Sequence, residues 1–371
     1  MTKYQTVVDW IENKIGSGDF DYGVKLPSEN QLCGQFGVSR NTVRKALEAL
    51  EKNGVIERKQ GSGSFVKYIE PPLWKSSPAG DLQAGKGLDT IGIIINYADN
   101  YIFPSIISGI SNRLMDYGYY ANLYVTQGRK DNETRILETI LANHNLKGLI
   151  IDPTKSALPN YNAALLKEVA ERIPCLYINH YYPGTNIPHI TPDNAASMQM
   201  GTEYLIEKGH QAIGAICKSD DWNGILRYQG YLQALRKHNI IPRDDFISWY
   251  TTEQVPYIFE GSNGECILNI AKECTAITCY NDEIATMLIE FLEKHGLRVP
   301  EDISILGFDN SLLTEIRYPI TSMEHPQERV GRLAAESMIR LIADPKADVN
   351  YEFEPVMIER TSVRDLTAKE P

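Results

Sequence analysis

Two groups of side chains in this sequence have the types and spacing that molecular recognition needs. The first is compact: Ser39, Arg40, Asn41, Thr42, Arg44 and Lys45 crowd the start of one helical repeat. Arginine forks read guanine edges or clamp phosphate, asparagine suits adenine, and serine and threonine suit phosphate. The second is dispersed. Asp152, Asn179, the pair Asp220/Asp221, Asn281 and Asp309 each end a β-prone apolar run, Arg227 follows the fifth run, and Tyr101 and Phe103 lie beyond the first. A neutral sugar offers hydroxyls, each donor and acceptor, around an apolar ring face. Its site therefore needs carboxylates, amides and a guanidinium converging on one point, with an aromatic ring against the C–H face. Ligands of open parallel sheets bind beyond the carboxyl ends of the strands, which is where these residues fall.

The elements that must hold the first group read as helices followed by a hairpin. Val7, Val8, Ile11 and Ile15 recur at helical spacing and Gly16 and Gly18 close that helix. Leu26-Pro27-Ser28-Glu29 opens a second helix capped by Ser28, with Leu32, Cys33 and Phe36 inward and Gly37 as its stop. Ser39 caps a third, whose Val43, Ala46, Leu47 and Leu50 form one stripe and leave the cationic side outward. Val55–Arg58 and Ser64–Val66 flank the glycine-rich tip Lys59-Gln60-Gly61-Ser62-Gly63, and Gln60 with Gly61 can approach an adjacent minor groove. The predicted unit, residues 1–68, is a winged helix-turn-helix. From Val38 to Lys67 its basic residues (Arg40, Arg44, Lys45, Lys52, Arg58, Lys59, Lys67) outnumber the acidic Glu48, Glu51 and Glu57, inside a chain of net charge −11. That local surplus marks a phosphate-facing patch.

Residues 69–88, rich in proline, serine and glycine, read as a linker. Strand and helix then alternate from 89 to 365, which implies parallel sheets with helices on both faces, and the length calls for two lobes with a cleft. Strands are expected at Ile91–Asn96, Tyr120–Val125, Gly148–Asp152, Pro174–Asn179, Ala212–Cys217, Thr275–Cys279 and Ile303–Gly307, and helices include Ala195–Lys208, Arg227–His238, Glu283–His295 and Glu328–Ala343. Within the cleft, Arg227 would pair with Asp221 or bridge two sugar hydroxyls. Asn281 would face the ligand while Asp282 caps the next helix, Trp222 would line the cleft or pack its mouth, and His180 is the histidine nearest a ligand.

No apolar run approaches the roughly 20 residues of a membrane span. The first residues lack the order of a secretory signal, and six cysteines are scattered singly without metal-ligand spacing, so a reducing cytoplasm fits. Nucleotide-binding GxGxxG and GxxxxGK[ST] loops, a GxSxG elbow and HExxH are missing. No catalytic residue, cofactor or metal is expected.

Leu26-Pro27-Ser28-Glu29, Phe36-Gly37-Val38-Ser39-Arg40-Asn41-Thr42-Val43-Arg44-Lys45-Ala46-Leu47 and Gly61-Ser62-Gly63-Ser64-Phe65-Val66 closely resemble the DNA-binding domain of GntR-type regulators. The resemblance implies that Glu29, Arg40, Asn41, Arg44 and Gln60 contact operator DNA, with Lys3 adding a phosphate contact. Asp193-Asn194-Ala195-Ala196, Arg227-Tyr228-Gln229-Gly230-Tyr231, Cys279-Tyr280-Asn281-Asp282-Glu283 and Gly307-Phe308-Asp309 look like the effector domain of lactose/galactose-type repressors, which shares a two-lobed fold with periplasmic sugar-binding proteins. By that likeness Asn179, Arg227, Asn281 and Asp309 face the ligand. The combination is the architecture of arabinose-responsive repressors, which Tyr101–Ile107 and Asp152–Leu158 also resemble, although that subgroup's loop usually begins with Glu where Asp152 stands. The expectation is a cytoplasmic, homodimeric repressor that binds double-stranded operator DNA and is released by a monosaccharide, L-arabinose by resemblance. The alternatives are the same architecture answering to another pentose or a hexose, or a sugar-binding receptor or enzyme that does not act on DNA.

Overall fold

The computed structural model describes residues 3–16, 20, 24–52, 55–59, 63–66, 89–99, 101–143 and 145–368. The linker expected at 69–88 lies outside them. The chain divides into two units, Met1–Lys86 and Gly87–Pro371.

In the first unit, α1 (Lys3–Gly16), α2 (Glu29–Phe36) and α3 (Arg40–Lys52) surround a core of Val7, Val8, Ile11, Leu32, Val43, Ala46, Leu47 and Leu50. Of the stripes read from the sequence these residues are buried, Cys33 and Phe36 pack half-buried against them, and the side chain of Ile15 lies outside the description. Gly37 ends α2 with φ 59°, a left-handed turn that glycine enters without steric cost. Strands β1 (Ile56–Lys59) and β2 (Gly63–Val66) pair antiparallel, Ile56 opposite Val66 and Lys59 opposite Gly63. A third segment, unread in the sequence, completes the wing: Leu26 N–H donates to Ser64 O at 2.9 Å and Val66 N–H to Val24 O at 3.0 Å.

The second unit repeats one plan twice. Lobe 1 runs β3 (Thr90–Ile95), α4 (Phe103–Asp116), β4 (Tyr120–Val125), α5 (Lys130–Ala142), β5 (Leu146–Ile151), α6 (Ala163–Arg172), β6 (Cys175–Ile178) and β7 (His189–Pro192). Lobe 2 runs α7 (Asn194–Glu207), β8 (Ile213–Lys218), α8 (Trp222–Lys237), β9 (Ile247–Tyr250), α9 (Gly261–Glu273), β10 (Ala276–Cys279), α10 (Asp282–Lys294), β11 (Ser304–Asp309), the short α11 (Leu313–Ile316) and β12 (Thr321–Glu324). The chain then returns to lobe 1 for α12 (Gln327–Ala343) and β13 (Tyr351–Phe353), and β14 (Met357–Ile358) ends in lobe 2. The sheets have orders β13-β7-β6-β5-β3-β4 and β14-β12-β11-β10-β8-β9, parallel except for β14. Three connections therefore cross between the lobes, at β7–α7, β12–α12 and β13–β14.

Each lobe packs a helix pair closely. In lobe 1, α4 and α12 meet where Gly109 and Gly331 face each other: a Cβ on Gly331 would fall 2.3 Å from Ile106 O, so nothing larger than glycine fits. In lobe 2, α7 and α8 touch at Gly230, where a Cβ would stand 2.1 Å from Ala195 O. Strand order in each lobe reverses direction beside its first strand, between β3 and β5 and between β8 and β10. Open α/β sheets bind ligands beyond the strand ends at such switch points.

Candidate functional site

One carboxylate organises the polar face of the first unit. Ser28 and Gln31 form a reciprocal cap in which Ser28 N–H donates to Gln31 Oε1 at 2.8 Å and Gln31 N–H to the Ser28 hydroxyl at 3.4 Å. This sets Glu29 in the first turn of α2, where it receives Arg40 Nε at 2.8 Å, Arg44 Nε at 3.1 Å and Arg58 Nη2 at 3.3 Å. The Arg40 guanidinium, against the effect of burial, holds the Glu29 carboxyl below its ordinary range. Arg40 and Arg44 remain 61% and 51% exposed, so much of each fork faces solvent. Ser39 caps α3, accepting from Thr42 N–H at 3.3 Å, and its hydroxyl lies 2.9 Å from that of Thr42. Asn41 and Lys45 are exposed on the same helix. Lys3 begins α1 with its side chain outside the description, and Gln60 and Gly61 lie outside the described residues. Planar cations grouped on an exposed helix suit a phosphate backbone.

In the second unit Tyr101, Phe103, Asp152, Asn179, Asp221, Arg227, Asn281 and Asp309 all line one cavity of about 330 Å³. Asp152 follows β5 and is 1% exposed; it accepts from Asn96 Nδ2 at 2.7 Å and Asn179 Nδ2 at 3.0 Å. Burial raises its pKa, opposed by the charge of His180. Asn179, at φ 62°, has its Oδ1 buried with no protein partner. Tyr101, Lys155 and Asp309 also take left-handed backbone angles (φ 59°, 48° and 100°). Such angles cost about 1–3 kcal/mol each and gather where function over-determines the backbone.

Arg227 and Asp309 form the centre. Both side chains are 4% exposed, and Nη2 donates to Oδ1 at 3.3 Å. Arg227 Nε also donates to Asn194 Oδ1 at 2.9 Å, Nη1 donates to Tyr280 O, and the guanidinium lies 3.4 Å from the Phe308 ring centroid. The pairing with Asp221 expected from the sequence does not form. Helix α8 starts at Trp222 rather than Arg227, because Asp221 caps it by accepting from Asn223 N–H at 2.9 Å, and Arg227 thereby falls in the second turn and points to β11. Trp222 is outside the cavity lining. Tyr101 reaches from lobe 1 to donate its hydroxyl to Asp309 Oδ2 at 2.6 Å; burial, Asp309 and Asp282 push its pKa well up, so it stays protonated.

Asp221 instead meets Tyr280, whose hydroxyl donates at 2.8 Å, Lys218 at 3.5 Å and His180 Nδ1 at 3.3 Å. Although burial opposes it, His180 and Lys218 hold Asp221 well below the usual range. Burial likewise opposes the charged form of His180, yet Asp221 and Asp152 raise its pKa to about 9. The capping expectation is also corrected. Asn281, not Asp282, caps α10, its Oδ1 accepting from Ile284 N–H at 3.0 Å, which leaves its amide nitrogen as the group to offer a ligand. Asp282 turns inward to accept from Ser311 N–H and the Ser322 hydroxyl, both at 2.7 Å, and burial with the charge of Asp309 lifts its pKa to about 7.

Sequence reasoning missed His325. It lies in the β12–α12 crossing, lines the cavity and is 3% exposed, with neither ring nitrogen bonded to protein. Burial drops its pKa to about 4, so the ring is neutral and offers one donor and one acceptor. Little in the sequence marked it, because the strand before it, Thr321-Ser322-Met323-Glu324, is mostly polar and does not read as an apolar run. Lys218, Tyr250 and Tyr280 were also missed as lining residues. Among the described residues no helix is long and apolar enough to cross a membrane.

Residues 3–66 match the model of the bacterial regulatory proteins of the gntR family, and residues 202–363 that of the periplasmic binding protein-like domain. The arabinose metabolism transcriptional repressor of Geobacillus stearothermophilus is 33% identical, covering 99% of both chains. That of Halalkalibacterium halodurans is 32% identical over 99% of this chain and 98% of its own. A periplasmic binding protein/LacI transcriptional regulator from Alkaliphilus metalliredigens QYMF, solved in complex with D-xylulofuranose, superposes with a TM-score of 0.62 at 26% identity, covering 74% of this chain and 99% of that one. With its winged helix-turn-helix and two-lobed α/β unit, the chain belongs to the family of transcriptional repressors that the Geobacillus and Halalkalibacterium proteins represent.

Proposed function

We propose that the protein is a cytoplasmic repressor that holds operator DNA as a homodimer and lets go when a monosaccharide, L-arabinose first among candidates, occupies the cavity between its lobes. One observation carries the sugar reading. The cavity is lined by amides (Asn96, Asn179, Asn281), carboxylates (Asp152, Asp309), the Arg227 guanidinium and the His325 ring, beside the rings of Tyr101, Phe103 and Tyr280, and Asn179 and His325 hold buried polar atoms without protein partners. Alternating donors and acceptors beside ring faces match a polyol rather than a phosphate or an apolar ligand. Its volume is at the small end for ligand pockets and suits one sugar ring. The names of the two full-length relatives favour arabinose, and the ketopentose in the Alkaliphilus protein favours a five-carbon sugar.

In this reading residues 1–68 read DNA, 69–88 link, and 89–365 sense and dimerise. Arg40, Asn41, Arg44 and Lys45 meet bases and phosphates in the major groove, and Gln60 and Gly61 approach the minor groove. Glu29 keeps the arginines poised. Support for the dimer comes from β4, which ends its sheet and whose Tyr120, Leu123 and Val125 are exposed, an open edge with apolar side chains that a second copy would cover. Two readers related by a twofold axis match a pseudo-palindromic operator. A thermal-shift panel of pentoses and hexoses on the full chain, followed by gel retardation on the upstream DNA of its own gene, tests the whole. L-arabinose should raise the melting temperature of the sensor and abolish retention, and a panel with no stabilising sugar would reject the sensor reading.

A further inference from the structure

The loop after β5 belongs to lobe 1, yet its successive residues bond to lobe 2. Lys155 donates its ammonium to Glu253, in the 3-10 segment Thr252–Tyr257 that follows β9. Ser156 Oγ accepts from Trp222 N–H at 2.9 Å, and Ala157 N–H donates to Asp220 O at 3.3 Å. Asp220 also accepts from Thr252 N–H at 2.9 Å, so both docking points on lobe 2 are tied together. Lys155 lines the cavity with its side chain 16% exposed, whereas Glu253 lies outside the lining and is 64% exposed. An ammonium drawn that far from water needs an anion nearby. Lys155 in turn keeps the Glu253 carboxyl below its ordinary range, against burial.

We propose that Glu253 is a positioning residue for effector binding: it holds Lys155 across the cleft and so fastens the loop carrying Asp152 to the opposite lobe. The ammonium has further protons to offer a sugar hydroxyl, and its place at the cavity wall is set by a carboxylate that itself touches no ligand. The proposal rests on the sugar reading above.

The test is calorimetric titration of the full-length protein with L-arabinose at low and high ionic strength. Glu253→Gln should raise Kd about two- to fivefold, the range for a partly exposed ion pair. It should also flatten the salt dependence of Kd, a readout that a mere loss of packing would not move. Glu253→Lys should weaken binding further, and Lys155→Glu/Glu253→Lys should recover part of the loss and the salt slope. Operator retention without sugar should match wild type in Glu253→Gln. Unchanged Kd and salt slope in Glu253→Gln, with wild type binding normally, would overturn the clamp alone. Failure of wild type to bind any sugar would overturn the clamp and the sensor reading together.

Discussion

Asp309→Asn should separate sugar sensing from DNA binding. The carboxylate is buried and accepts from Arg227 at 3.3 Å and Tyr101 at 2.6 Å. The amide keeps the shape, removes the charge and can accept through only one of its two termini. Breaking a buried ion pair costs about 3–5 kcal/mol. Arg227 keeps Asn194, the Tyr280 carbonyl and the Phe308 ring, so the lower end applies. The sensor unit should melt several degrees lower. A sugar hydroxyl that donates to this carboxylate loses a charged acceptor worth about 1.5–3 kcal/mol, which raises Kd roughly 10- to 150-fold. The sugar concentration that releases operator should rise by a similar factor, since effector and operator binding are linked. Calorimetry with L-arabinose gives the first number and gel retardation across a sugar series the second. Retention without sugar should equal wild type. Release at the wild-type concentration would refute the assignment of this cavity as the effector site.

Arg44→Ala should abolish specific operator retention while sugar-induced thermal stabilisation persists; unchanged retention would reject α3 as the reading helix. Gly331→Val should prevent α4 and α12 from meeting, because even a Cβ would stand 2.3 Å from Ile106 O, and should show as loss of the sensor's cooperative melting with the reader's helical signal retained. His180, raised to about 9 in the fold from an ordinary 6.5, binds its proton more tightly when folded. Its stabilisation is therefore complete below about pH 6.5 and lost as pH rises through 9. Sensor stability should fall between pH 7 and 8.5 in urea melts, a slope that His180→Gln should remove. Asp282, raised from 3.8 to about 7, makes stability fall as pH climbs between those values, and His325, lowered from 6.5 to about 4, makes it rise as pH climbs between its own, so both act mainly below this window.

The sequence exposed whatever was local. Caps, apolar stripes and glycine stops marked α2 and α3 because a helix is built from neighbours. The polar residues after β5, β6, β8 and β10 and at the end of β11 were legible because a parallel strand ends where its apolar run ends. Short strands defined by distant partners were not: β13 pairs with β7 from 161 residues away in sequence (His189 N–H bonds Asn350 between them), and three residues carry no period. Arg227 was placed at the start of its helix because Asp221 was read as a ligand rather than as a cap. The cluster of Arg40, Arg44 and Arg58 on Glu29, which the resemblance places at the operator, was not legible because its members stand 11 to 29 residues from Glu29 in sequence. His325 escaped because the crossing that holds it has no motif, only a position between two lobes.

The three crossings also fix the order in which the molecule matures on the ribosome. Among the described residues the reader's core is drawn from Val7 to Val66, far ahead of α12 in the chain. Lobe 1 must wait: Val330, Ala334 and Met338 of α12 seal the cluster built around Ile93, Ile106 and Ile150. A nascent chain stopped after Glu324 would thus carry a finished DNA-reading head on a sensor with one lobe unsealed, and quality control has a long interval in which to act on it.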